Sequence, residues 1–121
     1  MTSLGNNVHI FARPERRAAL RDLFTTVLGA DVATVPLPGV AEPMMIARFR
    51  QGGSLSIELT PEADDSDQPR FATWLELRAT GAEALIDAIR KAGIPEIRHP
   101  GHPFYFVAPG GQVFTVVEAS P

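Results

Sequence analysis

FATWLELRAT, Phe71 to Thr80, alternates with a period of two. Leu75 and Leu77 point to one side, as on a half-buried strand, and Trp74, Glu76 and Arg78 share the other. An indole beside two opposite charges is a poor core and an odd surface for bulk water. Either this is the wet face of an antiparallel sheet, or it is the wall of a partly dry cavity. The answer depends on whether the rest of the chain builds a second face of the same kind.

It does. VHIFA (Val8–Ala12) is a short alternating run ending at Arg13-Pro14, and Pro suits the first turn of a helix. Leu20, Leu23, Phe24, Val27 and Leu28 then form one apolar helical stripe, closed by Gly29 as a left-handed cap. PLPGVAEP (36–43) reads as a loop. MMIARFR (44–50) and SLSIELT (54–60) read as strands joined by Gln51-Gly52-Gly53. After PEADDSDQPR (61–70), an acidic, exposed linker by composition, the order repeats. FATWLELRA is a strand, and Thr80 with Glu83 forms a capping box. The stripe Ala82, Leu85, Ile86 and Ile89 is a helix stopped by Gly93. HPGHP (99–103) is a turn-rich loop, and PFYFVA and GQVFTVVEA are closing strands around Pro109-Gly110-Gly111.

The separations Gly29–Gly93 and His9–Trp74 differ by a single residue, as a true internal repeat requires. Neither half alone can bury both its helix stripe and its sheet face. The predicted architecture is α+β, two βαβββ modules with sheets curled around a cleft: residues 1–60, a linker at 61–70, and residues 71–121. Val8, Ile10 and Ala12, then Leu55, Ile57 and Leu59, Leu75 and Leu77, and Phe114 and Val116 should lie under helices. The opposite parity gathers His9 and Phe11, then Ser54, Ser56, Glu58 and Thr60. Trp74, Glu76 and Arg78 follow, with Val113, Thr115 and Val117.

Composition narrows the function. A net charge of −3 gives no nucleic-acid footprint or attraction to an anionic membrane. No apolar run reaches the roughly 18 residues of a membrane span, and the N-terminus lacks a signal-peptide core. The absence of cysteine excludes disulfides, thiolate metal sites and Cys nucleophiles. A cytoplasmic protein is expected.

NNVHIFARPERRAALRDLFTTVLGA resembles the opening of the vicinal oxygen chelate superfamily, the glyoxalase, bleomycin-resistance and extradiol-dioxygenase group, with His9 and Leu28-Gly29 at that family's spacing. SIELT resembles its Glu-bearing strand. WLELRATGAEALIDAIRKAGIP resembles its second strand and helix, and FVAPGGQVFTVVE its closing hairpin. The resemblance covers nearly the whole chain. It implies four metal-ligand positions, which fall on His9, Glu58, Trp74 and Thr115. Indole offers a metal no lone pair and a neutral Thr is a feeble ligand, whereas a catalytic ion usually takes three protein ligands. No metal ligand set and no cofactor is therefore assigned. If an ion binds after all, it is a divalent one near His9 and Glu58, completed by Glu76, or by Glu118 through a bulge, since strand parity turns Glu118 away. His99 and His102 sit in a Pro/Gly turn and receive no role beyond the rim of the cleft.

What remains suits a small, aromatic organic ligand held without chemistry, with His9, Phe11, Ser56, Glu58, Trp74, Glu76, Arg78, Val113 and Thr115 as the binding set. Trp74 filling a vestigial site is the plainer alternative. An enzyme is the other class: a metal-dependent lyase, isomerase or dioxygenase, or a metal-free acid–base catalyst with Glu58 or Glu76 exchanging protons with His9. A partner-binding module is a third. The resemblance also implies a homodimer, with the cleft within one chain or shared between two.

Overall fold

The computed structural model describes residues 1–64 and 69–119. The chain divides into two compact units, Met1–Asp65 and Ser66–Pro121. Each holds a four-stranded mixed sheet of the same topology.

In the first unit β1 (Asn7–Ala12) runs parallel to β4 (Ser54–Leu59), with His9 opposite Ser56 and Phe11 opposite Glu58. β3 (Met44–Arg48) pairs antiparallel with β4, and β2 (Asp31–Val35) antiparallel with β3. The sheet order is β1-β4-β3-β2. The register puts Ile10, Ile57, Met45 and Thr34 on one face. Ile57 and Met45 are fully buried there, as are Leu20, Leu23 and Phe24 of the helical segment. Complete burial of side chains of this size stabilises by about 1.5–3 kcal/mol each, so these five form the unit's hydrophobic anchor.

That helical segment is not uniform. Pro14–Arg16 is a 3₁₀ turn, α1 spans Arg17–Asp22, and Leu23–Val27 widens to a π-turn. Leu28 N–H donates to the Leu23 carbonyl five residues back at 2.9 Å. Thr25 Oγ1 donates to the Arg21 carbonyl at 2.6 Å, a back-bond of the kind that loosens a helix. Gly29 then reverses the chain with φ +71°, the left-handed conformation its position predicts.

The second unit repeats the plan. β5 (Arg70–Ala79) runs parallel to β8 (Gln112–Glu118), and β7 (His102–Val107) and β6 (Glu96–His99) add antiparallel, in the order β5-β8-β7-β6. α2 (Ala82–Lys91) contributes Ile89 to the core. Phe106 and Phe114, directly opposite in register, stack at 5.3 Å between centroids. The Arg90 guanidinium lies 5.2 Å over the Phe104 ring and forks onto Glu96 at 2.9 and 3.1 Å. Phe104, Phe106 and Phe114 are therefore the helix side of this sheet.

The architecture is α+β with two βαβββ modules, as the repeat predicts. Several local expectations are corrected. β2 and β6 are strands in addition to those expected from the sequence. HPGHP is not a loop throughout: His99 ends β6, His102 begins β7, and only Pro100-Gly101 turns. Val8 does not lie under the helix but is 40% exposed, because β1 is an edge strand with a neighbour on one side only. Within 61–70, Ala63 is buried and its carbonyl accepts from Arg13 Nε at 3.2 Å. Residues 65–68 of that stretch lie outside the described residues.

The capping box also fails. The N-cap of α2 is Gly81, in the left-handed region with no side-chain cap, and not Thr80. The Glu118 carboxylate, arriving from β8, accepts from the N–H groups of Gly81 (3.0 Å) and Ala82 (3.1 Å). Among the described residues no helix is long and apolar enough to cross a membrane.

Candidate functional site: the two helix-free sheet faces

Opposite its helix, the first sheet presents His9 and Phe11 from β1 and Ser54, Ser56 and Glu58 from β4. His9 Nε2 and Glu58 Oε1 lie 3.1 Å apart, with side chains 39% and 28% exposed. The two strands are hydrogen-bonded neighbours, and their alternation delivers both groups to the same face. The Phe11 ring tilts against the imidazole at 5.0 Å and is itself 46% exposed. Ser56 is buried, and its hydroxyl and that of Ser54 donate to Asn7 Oδ1 at 3.3 and 2.6 Å. This face therefore offers a half-exposed imidazole–carboxylate couple beside an aromatic ring.

The second helix-free face carries Trp74, Glu76 and Arg78 on β5, with Val113 and Thr115 opposite the first two on β8. Trp74 is half-buried. Its ring meets Tyr105 at 4.6 Å and 51°, and His99 edge-on at 4.9 Å and 74°. Such tilted and T-shaped contacts match the ring quadrupoles. Arg78 Nε donates to Glu76 Oε2 at 3.0 Å, and both side chains are largely exposed. Thr115 Oγ1 donates to the Phe104 carbonyl at 2.8 Å, and Val113 is fully buried.

The two registers make the repeat quantitative. His9 faces Ser56 as Trp74 faces Val113, and Phe11 faces Glu58 as Glu76 faces Thr115. Trp74 thus holds the place of His9, and Thr115 that of Glu58. Of these four positions only His9 and Glu58 carry metal-ligating groups. Among the described residues no group of three or more His, Asp or Glu is placed to hold an ion. At the other two positions, an indole is a donor only, and the Thr115 hydroxyl donates to the Phe104 carbonyl. Glu118 lies on the helix side, capping α2. Glu76 turns to Arg78.

Tyr105 and His99 belong to the second face and were not read from sequence as site residues. Parity within PFYFVA holds the signal for Tyr105, since Phe104 and Phe106 are claimed by the helix side. For His99 the strand β6 had first to be seen.

The same architecture occurs in solved structures that align over nearly the full chain. The E126Q mutant of the fosfomycin resistance protein FosX from Listeria monocytogenes, complexed with Mn(II) and 1S,2S-dihydroxypropylphosphonic acid, aligns with TM-score 0.74 and 10% identity, over 99% of this chain and 95% of its own. A glyoxalase/bleomycin resistance protein/dioxygenase superfamily member from Sphaerobacter thermophilus aligns with TM-score 0.69 and 13% identity over 98% of each chain. The chain has the fold of the glyoxalase/bleomycin-resistance/dioxygenase superfamily. TnmS3, an antibiotic binding protein from Streptomyces sp. CB03234, shares this superfamily fold at TM-score 0.67 and 17% identity, over 98% of each chain. No family model matches the sequence, and no curated protein matches it.

Proposed function

We propose that this chain binds a small organic molecule bearing an aromatic ring and performs no chemistry on it. One observation carries the reading. At the position where the first module has an imidazole, the second has Trp74, set against Tyr105 and His99. A ring cluster of this kind offers aromatic faces and edges against which a ligand ring packs, and the Glu76–Arg78 pair beside it offers polar contacts. His9, Phe11, Ser56 and Glu58 extend the binding set, with Val113 and Thr115, the β8 partners of Trp74 and Glu76. TnmS3, an antibiotic binding protein, gives a precedent on the same fold. The proposal includes a homodimer and a cytoplasmic setting, the latter in keeping with a cysteine-free sequence.

Trp74 is the single tryptophan, so fluorescence is a clean assay. Titration with a panel of planar aromatic compounds should quench its emission saturably, with the compound recovered unchanged. An emission unmoved across the panel refutes the binder. Light scattering at micromolar concentration tests the dimer, and a monomer removes it.

The His9–Glu58 contact favours a second reading, a metal-free acid–base enzyme. A carboxylate hydrogen-bonded to one ring nitrogen fixes the orientation of the imidazole and leaves the other nitrogen for a substrate. Turnover of a bound compound that Glu58→Gln abolishes, with affinity unchanged, would establish this reading over the first.

A further inference from the structure

The placement of Trp74 depends on a break in strand register. β5 and β8 pair at Arg70–Gln112 and next at Trp74–Val113, so residues 71–73 stand against no residue of β8. A bulge of this kind bends its strand, re-aims the side chain that follows, and leaves peptide groups without ladder partners. One such group is the carbonyl of Thr73, the residue before Trp74. It accepts from Gln112 Nε2 at 2.9 Å, and the same nitrogen reaches the Val113 carbonyl at 3.1 Å. A primary amide nitrogen has two hydrogens, and both are used. Gln112 is only 7% exposed, although glutamine usually stays at the surface.

The other side of β8 has a related arrangement. The pairing of β6 with β7 shifts between Ile97 and His99, and the β7–β8 ladder begins at Tyr105–Thr115. Phe104, just outside that ladder, gives its carbonyl to Thr115 Oγ1. Two polar side chains of β8 thus hold the irregular stretches of its neighbours β5 and β7. From those stretches the rings of Trp74 and Tyr105 come into contact.

We propose that Gln112 is a positioning residue, holding the bulged Thr73 peptide so that the Trp74 ring is fixed in its contacts with Tyr105 and His99, ready for a ligand. The ligand clause rests on the binder reading above; the positioning does not. Removing the amide takes this donor from the Thr73 carbonyl and leaves the bulged peptide without its tether to β8. Water then takes the donor's place, and the peptide and the indole that follows it are free to turn.

The test is spectroscopic and begins without ligand. Gln112→Met keeps the length of the side chain and removes the donor. Gln112→Glu keeps the shape and, when ionised, can only accept. In both, Trp74 emission should shift to the red and quench at least about twofold more readily with acrylamide, and the long-wavelength near-ultraviolet CD should weaken, while far-ultraviolet CD stays as in the parent. The Glu variant carries its own control. Acidification protonates the carboxyl and restores an O–H donor, so its emission should return toward the parent's as pH falls, which mere loss of packing would not produce. For any aromatic compound that binds the parent, the Met variant should bind roughly tenfold more weakly, about the value of one hydrogen bond. A folded Gln112→Met with parental emission and quenching overturns the positioning role. Should that variant fail to fold, a pH-independent emission in the Glu variant overturns it instead. A parent protein that binds no aromatic compound refutes the binder reading alone, and the ligand-free spectra still decide on Gln112.

Discussion

The Glu118 carboxylate accepts hydrogen bonds from the two N–H groups that open α2, at 3.0 and 3.1 Å. No side chain of the helix's own N-cap does this work, because the N-cap is Gly81. Replacing Glu118 by Ala therefore leaves two donors to water and removes a negative charge from a helix N-terminus. Buried, two charge-assisted bonds would be worth several kcal/mol, but Glu118 is exposed and water competes for them. The expected loss is that of an N-cap, about 1–2 kcal/mol. In urea unfolding followed by CD, this lowers the midpoint by roughly 0.5–1 M at an unchanged slope. Glu118→Gln keeps an acceptor oxygen and loses the charge, so it should lie about midway. Glu83→Ala is the control: a capping box would make it costly, whereas here it should change stability by no more than about 0.5 kcal/mol. A Glu118→Ala protein with the parental midpoint would refute the cap. It would also return this carboxylate to the candidates for a metal ligand, which loss of a bound divalent ion in the same variant would then establish.

Three further perturbations follow from the packing and charge. Phe106→Ala, at a fully buried ring stacked on Phe114, should cost about 3–5 kcal/mol in the same urea assay. Gly29→Ala meets no atom within 4 Å of the new methyl, so its cost is that of the left-handed backbone alone, about 1–2 kcal/mol. The fork from Arg90 holds the Glu96 carboxyl below the usual glutamate range. Its contribution to stability is accordingly complete above that range and is lost as pH falls through the lowered value. Glu96→Gln should flatten the acid limb of a stability–pH curve at this step, and an unchanged limb would count against the pair.

The parts of the fold legible in sequence were those fixed by burial. Leu20, Leu23 and Phe24 announced a helix, and Ile57 between Leu55 and Leu59 announced a strand, because only one periodicity puts all of them in a core. β2 and β6 went unread for the opposite reason. Both are edge strands, and DVATV and EIRH keep only half-buried apolar residues, so neither shows a clean alternation. The false capping box at Thr80–Glu83 shows a limit of local motifs: the acceptor came from Glu118, distant along the chain and brought near only by the pairing of β5 with β8. Tyr105 was hidden among aromatics of the wrong parity, and Gln112 because a bulge cannot be counted before the register is known.

That register also explains why the replacement at Trp74 is not an isolated one. In the first module, His9 and Ser56 face each other, Glu58 lies two residues on, and Met44, one step beyond the Met45–Ile57 pair, continues the register opposite Glu58. The corresponding places in the second module hold Trp74, Val113, Thr115 and Tyr105. Each exchange removes a metal-ligating or polar group or adds an aromatic ring: His to Trp, Ser to Val, Glu to Thr, Met to Tyr. An indole in place of an imidazole needs room and an apolar bed, and Val113 supplies the bed while Tyr105 closes one side at 4.6 Å. Introducing a single imidazole should therefore fail to create an ion site. Trp74→His would leave a small polar ring over Val113 beside a Thr115 hydroxyl already committed to Phe104, and divalent-ion uptake measured by elemental analysis should stay where it is in the parent. Stoichiometric uptake from that one substitution would show that the other three differences are incidental and that the second face accommodates a cation.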